Sequence, residues 1–321
     1  SLRVAEVASF PTVEIAIDDD LFTAMILMLR HRVHRVVVRG TDGGIAGVLS
    51  QLDLMSFVAN HSHLIAMQAA DATDVAALRR AADQIEPLIR VLASDGVRVE
   101  VIAGLVGELN RAVFRRLWEL VAPETLRARS CLIVMGSEGR GEQIIRTDQD
   151  NGLILADDAD PAEAAAATEA FTAALVSFGY PPCPGGIMAN QPLWRQTFTG
   201  FRQTFGRWIY DEPTEGMGEG PMNLAIFMDA LAVAGDARLL EEAKAALVAL
   251  MTDSDAYLAR FAAAVNSFSE DRSWWSRLPG VRGRASAEID LKKLGLFPIV
   301  QGVRALALKY RVPALATTER L

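Results

Sequence analysis

The sequence predicts an α+β fold in three parts: an N-terminal β-α-β-β-α unit, a mixed-sheet domain in the middle and a helical bundle at the C-terminus. Three observations predict it. Residues 4–60 alternate short apolar runs with turn residues. Two continuous apolar runs, 131–135 and 152–156, flank a loop that contains Gly139 and Gly141. From Met222 onwards, apolar residues mostly recur at helical spacing.

Taken in order, Asp18, Asp19 and Asp20 can cap the apolar run 21–29, and residues 35–39 read as a strand. The turn 40–44 leads into a second strand over 45–49. Leu78, Ile85, Leu88, Ile89 and Leu92, then Val101, Leu105, Leu109, Val113 and Leu117, keep a helical period, which predicts two long helices between about 63 and 120. The runs 131–135 and 152–156 then predict two buried strands. The Ala-rich stretch 162–176 is a good helix former, whereas residues 180–186 hold too much Pro and Gly for regular structure. Further helices are expected over 239–251, 256–268 and 297–310. The expected division is 1–60, a helical connector 61–125, a catalytic region 126–235 and a helical substrate-binding region 236–321.

The chain has 321 residues, about twice the usual length of one domain, so each part can bury a core of its own. A net charge of −8 gives no general electrostatic reason to bind nucleic acid or a membrane surface, and no basic, aromatic-rich tract supplies a local one. Cys131 and Cys183 form neither a metal-ligand pair nor a disulfide framework, which fits a reducing cytoplasm. No apolar run of about 18 residues or more and no leader pattern occurs, so neither a membrane span nor a signal peptide is expected. The chain starts on Ser1 rather than Met, which reads as a piece of a longer protein.

The chemistry concentrates in Met135-Gly136-Ser137-Glu138-Gly139-Arg140-Gly141-Glu142 and in Asp148-Gln149-Asp150-Asn151. Residues two apart on a strand point the same way, so Asp148 and Asp150 would hold two carboxylates on one face, roughly 7 Å apart. Carboxylate oxygens suit Mg²⁺ (or Mn²⁺), which takes few protein ligands and completes its shell with substrate phosphates. Gly136 and Ser137, at a strand end, let backbone approach phosphate, and Arg140 offers a multiply donating cation. Singly, an Asp-x-Asp pair or a Gly-Ser pair is an ordinary turn. Joined as strand, Gly-Ser, ten-residue spacer, Asp-x-Asp and strand, they point to nucleoside triphosphate chemistry.

That order resembles the nucleotidyltransferase signature of the DNA polymerase beta superfamily. More narrowly, it is similar to bacterial protein-PII uridylyltransferases, and most closely to signal-transduction nucleotidyltransferases in which CBS domains precede the transferase domain. Cys183-Pro184-Gly185-Gly186-Ile187-Met188-Ala189 and Ile289-Asp290-Leu291-Lys292-Lys293 have counterparts in that group, and the resemblance covers about 60–321. It implies transfer of a nucleoside monophosphate, UMP or AMP, from a triphosphate to an acceptor, a regulatory protein. Asp148 and Asp150 would hold the metal, with a third acidic position on a later strand at Asp229. Leu231 departs from the pattern, because relatives carry Arg two residues after that acid, and this leaves room for a catalytically inert nucleotide sensor on the same fold. None of the four histidines is followed by Asp, so the chain does not supply the metal hydrolase domain of uridylyltransferases.

Cys183 has no histidine downstream to activate it and reads as a structural or substrate-lining residue. Lys292 and Lys293 read as a solvated face, and Trp274 and Trp275 as packing residues. Residues 4–60 resemble one CBS motif, with Gly47-Val48-Leu49-Ser50-Gln51-Leu52-Asp53 matching its strand and Ser-x-x-Asp. By resemblance, Asp53 would meet the ribose and Ser50 the phosphate of an adenine nucleotide. Equally, Ser50 caps the following helix and Asp53 favours its dipole. CBS motifs pair, so a partner is expected from upstream sequence or from a second copy in a homodimer.

Overall fold

A computed structural model describes residues 3, 6, 11–19, 21–94, 97–210, 220–251, 261–262 and 295–321. The expected helix 256–268, the cap at Asp20, the Trp274-Trp275 pair and the Lys292-Lys293 pair lie wholly or largely outside these residues. The chain divides into two compact units, Ser1–Val113 and Phe114–Leu321.

The first unit opens with β1 (Glu14–Ala16), α1 (Leu21–His31), β2 (Arg35–Arg39), β3 (Ile45–Ser50) and α2 (Gln51–Asp71). β1 runs parallel to β2, and β2 antiparallel to β3. Ile15, Ala24, Met28, Val36 and Leu54 form its small core. The β-α-β-β-α order expected from the sequence is present. The two long helices expected after it are instead four: α2 continues to Asp71, followed by α3 (Val75–Ala82), α4 (Ile85–Ser94) and α5 (Val99–Val121), the last running on into the second unit. The period is right but the punctuation is local. The Asp74 carboxylate accepts from the Ala77 N–H at 2.7 Å and starts a new helix. Apolar spacing alone cannot register such a break.

The second unit continues with α6 (Glu124–Arg127), β4 (Ser130–Val134), α7 (Gly136–Gly139), β5 (Asn151–Leu155), α8 (Pro161–Ser177), β6 (Arg195–Thr197) and α9 (Phe198–Tyr210). Then come α10 (Gly220–Phe227), β7 (Leu231–Gly235), α11 (Arg238–Leu250) and α12 (Phe297–Tyr310). The sheet order is β6-β5-β4-β7, with β4 antiparallel to both neighbours and β5 parallel to β6. Every residue of β4 and β5 is buried, which explains why both read as unbroken apolar runs rather than alternating ones. Phe201, Phe205, Trp208 and Phe227 pack with Ile133 and Ile154 in one core. Among the described residues, no helix is long and apolar enough to cross a membrane.

Candidate active site

β4 ends by handing the chain to a tight loop. Gly136 adopts φ +57, a left-handed conformation that glycine takes without steric cost, and opens the four-residue turn α7. The ladder runs one step beyond the strands: the Met135 N–H donates to the Asp150 carbonyl at 2.8 Å. Asp150 is thereby fixed beside the Gly-Ser turn. Asp148 and Asp150 are not on the strand as expected, since β5 starts at Asn151. They lie in the irregular segment just before it. Pleat geometry does not hold there, yet the two carboxylates still converge.

The 180–190 loop is stitched against that segment. The Gln149 N–H donates to the Pro181 carbonyl and its side-chain amide to the Tyr180 carbonyl, both at 3.0 Å. The Asn151 N–H donates to Ile187 O at 3.1 Å, and the Asn151 side-chain oxygen accepts from the Ala189 N–H at 2.8 Å. These bonds bring Cys183 to the carboxylates. One ligand atom each of Asp148, Asp150 and Cys183 falls within 4.8 Å of the others. Burial, then the charge of Asp150, pushes the Cys183 thiol up to about 12. Its place in a Pro- and Gly-rich loop was visible in the sequence; its approach to Asp150 was not, because it depends on long-range backbone bonds.

The two carboxylates suit a hard divalent cation, and the protonated Cys183 thiol lies beside them. Glu138, Gln143, Gln149 and Asn151 also line the cavity beside Asp148 and Asp150, which measures about 10 Å³. That is room for about one water or ion, not for a nucleotide. Ser137 Oγ donates to the Gln143 side-chain oxygen at 3.4 Å.

The other two predicted residues are placed differently. Asp229 was expected on a strand as a third metal ligand. It sits in the turn between α10 and β7, fully buried, with its oxygens facing guanidinium groups rather than the other two carboxylates. Arg140 and Arg304 meet one oxygen, with Arg140 Nη1 at 2.7 Å, and Arg320 Nη1 meets the other at 2.8 Å. Burial alone would raise the Asp229 pKa, but the three cations outweigh it and hold the carboxyl below its usual range. Arg140, expected on the triphosphate, is 8% exposed and commits Nε to Glu142 and Nη1 to Asp229. Glu142 in turn accepts from the Thr317 N–H. The loop is thus tied to α12 and the C-terminal tail. Arg304 and Arg320 carried no signal in the sequence, since an arginine on an amphipathic helix or in a tail reads as solvated.

In the first unit, Ser50 and Asp53 form a capping box. Ser50 Oγ accepts from the Asp53 N–H, and the Asp53 carboxylate accepts from the Ser50 N–H at 2.8 Å and from its hydroxyl at 2.6 Å. The hydrogen bonds from Ser50 lower the Asp53 pKa. The capping role expected for this pair is therefore realised.

Three families match segments of the chain. Residues 83–215 match the family described as "Putative nucleotidyltransferase DUF294", residues 255–321 match "Putative nucleotidyltransferase substrate binding domain", and residues 4–60 match "CBS domain". No curated protein matches the chain. The glycine turn and the converging aspartates fall within 83–215, the segment similar to the putative nucleotidyltransferase family, and the chain also has segments similar to a CBS domain and to a putative nucleotidyltransferase substrate-binding domain.

Proposed function

We propose that this protein transfers a nucleoside monophosphate, UMP or AMP, from a nucleoside triphosphate to an acceptor, a regulatory protein like those modified by protein-PII uridylyltransferases. The observation that carries the reading is the convergence of Asp148 and Asp150 beside the left-handed Gly136 turn in a nucleotidyltransferase domain. In this reading, 126–235 is the catalytic region and 236–321 the substrate-binding region. Asp148 and Asp150 hold Mg²⁺ or Mn²⁺. When bound, such a metal neutralises phosphate charge and favours in-line displacement.

The chain's own residues do the rest. Backbone at Gly136 and the Ser137 hydroxyl meet phosphate oxygens, and glycine there lets the backbone approach. An acceptor hydroxyl oxygen attacks the α-phosphorus, its proton passing to water, as the bond from the α-phosphorus to the oxygen bridging to the β-phosphorus breaks, so the nucleotidyl group moves and pyrophosphate leaves with that oxygen. Arg140 acts from behind, through its bonds to Glu142 and Asp229, as a brace of the loop. Admission of a nucleotide requires the small cavity at the carboxylates to open.

In the same reading, the N-terminal module works as half of a pair that senses adenine nucleotide through Ser50 and Asp53. Exposed Ile17, Ile45, Val48 and Leu52 support pairing with a second CBS motif, upstream or in another copy. A second reading, an inert nucleotide sensor, is favoured by the engagement of Asp229 with three arginines and by Leu231.

A screen of the four radiolabelled triphosphates with Mg²⁺ or Mn²⁺ against a lysate of the source cell separates the readings. Expected is label on an acceptor with the wild type and none with Asp148→Asn or Asp150→Asn. Triphosphate binding without transfer would favour the sensor, and label undiminished in Asp150→Asn would end the transferase reading at this site.

A further inference from the structure

A cleft of about 590 Å³ lies in the second unit, bounded by the end of α5, by α6 and by the last residues of β7. β4 pairs Val134 with Leu231 and Cys131 with Gly235, so this cleft is at the opposite end of the strand from Gly136 and Asp150. The two are separated by roughly 15 Å along the strand, at about 3.3 Å per residue. It is not part of the site described above.

Two features mark the cleft. Arg115, Trp118 and Arg127 line it, and among the described residues neither arginine has a carboxylate partner. Arg115, which lines the cleft, uses Nε on the Val233 carbonyl at 3.0 Å, and its terminal nitrogens are committed to no carboxylate among the described residues. The acids nearby are otherwise placed: Glu119 pairs with Arg116 at 2.8 Å and Asp236 with Arg238 at 2.8 Å, while Glu124 stands in the first turn of α6. Two guanidinium charges therefore remain against Glu124 alone. In addition, Nε1 of the fully buried Trp118 and Nε of Arg127 are withdrawn from solvent and meet no acceptor. Buried donors without acceptors are rare in folded proteins and mark places where an oxygen atom belongs.

We propose that this cleft binds a small organic anion through a carboxylate or phosphate group, received by Arg127 and Arg115 with the indole N–H of Trp118 as a further donor. A planar guanidinium offers paired donors to two oxygens of either group, and the volume is in the usual range for small-molecule sites. Glu124, at the rim, disfavours a second negative charge on its side. The proposal is independent of nucleotidyl transfer and stands whether or not the carboxylate site is active.

Calorimetric titration of the full chain, in EDTA, with inorganic phosphate and separately with succinate tests it. Saturable binding of at least one probe is expected, weakened at least tenfold in Arg127→Gln and in Arg115→Gln and less in Trp118→Phe, which keeps the ring packing and removes only the donor. Ser137→Ala, at the far end of β4, is expected to bind as the wild type does. Binding of succinate alone identifies a carboxylate ligand, and of phosphate alone a phosphate ligand. The proposal fails if neither probe binds, if both arginine variants, folded by circular dichroism, bind as the wild type does, or if Ser137→Ala removes binding.

Discussion

The carboxylate of Asp150 occupies the space where a side chain at Gly136 would begin: a Cβ there would stand 2.4 Å from Asp150 Oδ2. This joins the two halves of the motif, because the turn can lie against the acid only while residue 136 has no side chain. Gly136 also has φ +57, which costs other residues about 1–2 kcal/mol. Gly136→Ala is therefore expected to lower the melting temperature and to displace Asp150. Loss of Mn²⁺ binding by calorimetry, larger than the stability loss explains, is the expected signature; unchanged Mn²⁺ affinity would separate the turn from the metal.

Asp229 bears on stability in a pH-dependent way. Removing its charge leaves Arg304 and Arg320 buried without their counter-ion and Arg140 with Glu142 alone, so Asp229→Asn is expected to cost about 3–5 kcal/mol. Its carboxyl is held below the usual range, so its contribution is fully present above the unfolded pKa of about 4 and is lost as the pH falls through the lower folded value. Urea unfolding of wild type and variant from pH 7 down to pH 3 should show a gap that is constant to about pH 4 and narrows below it. A gap independent of pH would show that the arginines do not depend on that charge.

Two glycines should respond in opposite directions to alanine. A Cβ at Gly139 would stand 2.1 Å from the Asp229 carbonyl oxygen and 3.0 Å from that of Val134, both backbone atoms that cannot step aside. Gly139→Ala is expected to destabilise by more than about 2 kcal/mol or to prevent folding. Gly206, inside α9, has nothing within 4 Å of the added atom, so Gly206→Ala is expected to stabilise by up to about 1 kcal/mol. Thermal melts of the pair check both signs.

Cys183 should be chemically quiet despite its position. Its thiol is pushed up to about 12 by burial and by Asp150, and Cys131 is likewise raised to about 12. The nucleophile is the thiolate, so at pH 8 neither should react with iodoacetamide in the native state. Mass spectrometry is expected to show both labelled only after unfolding; rapid native labelling of Cys183 would mean that the 180–190 loop opens readily.

The sequence by itself determined the β-α-β-β-α order of the N-terminal unit and the positions of the two central strands. Continuous apolar runs at 131–135 and 152–156, each five residues long and bounded by turn residues, read as buried strands, and Gly136, Ser137, Asp148 and Asp150 stand out as candidates because they flank one loop between those strands. The capping box at Ser50 and Asp53 requires only neighbours within three residues, and the strands of the β-α-β-β-α unit pair with partners no more than about 23 residues away. Tertiary structure decided what no local pattern encodes. It set Cys183 beside Asp150 through backbone bonds from the 180–190 loop, and it turned Asp229 and Arg140 away from the expected metal and phosphate roles into a buried ion cluster with Arg304 and Arg320. The physical reason is burial. A charged side chain taken out of water must find an opposite charge wherever the fold supplies one, and for Asp229 those partners lie 89, 75 and 91 residues away in the chain.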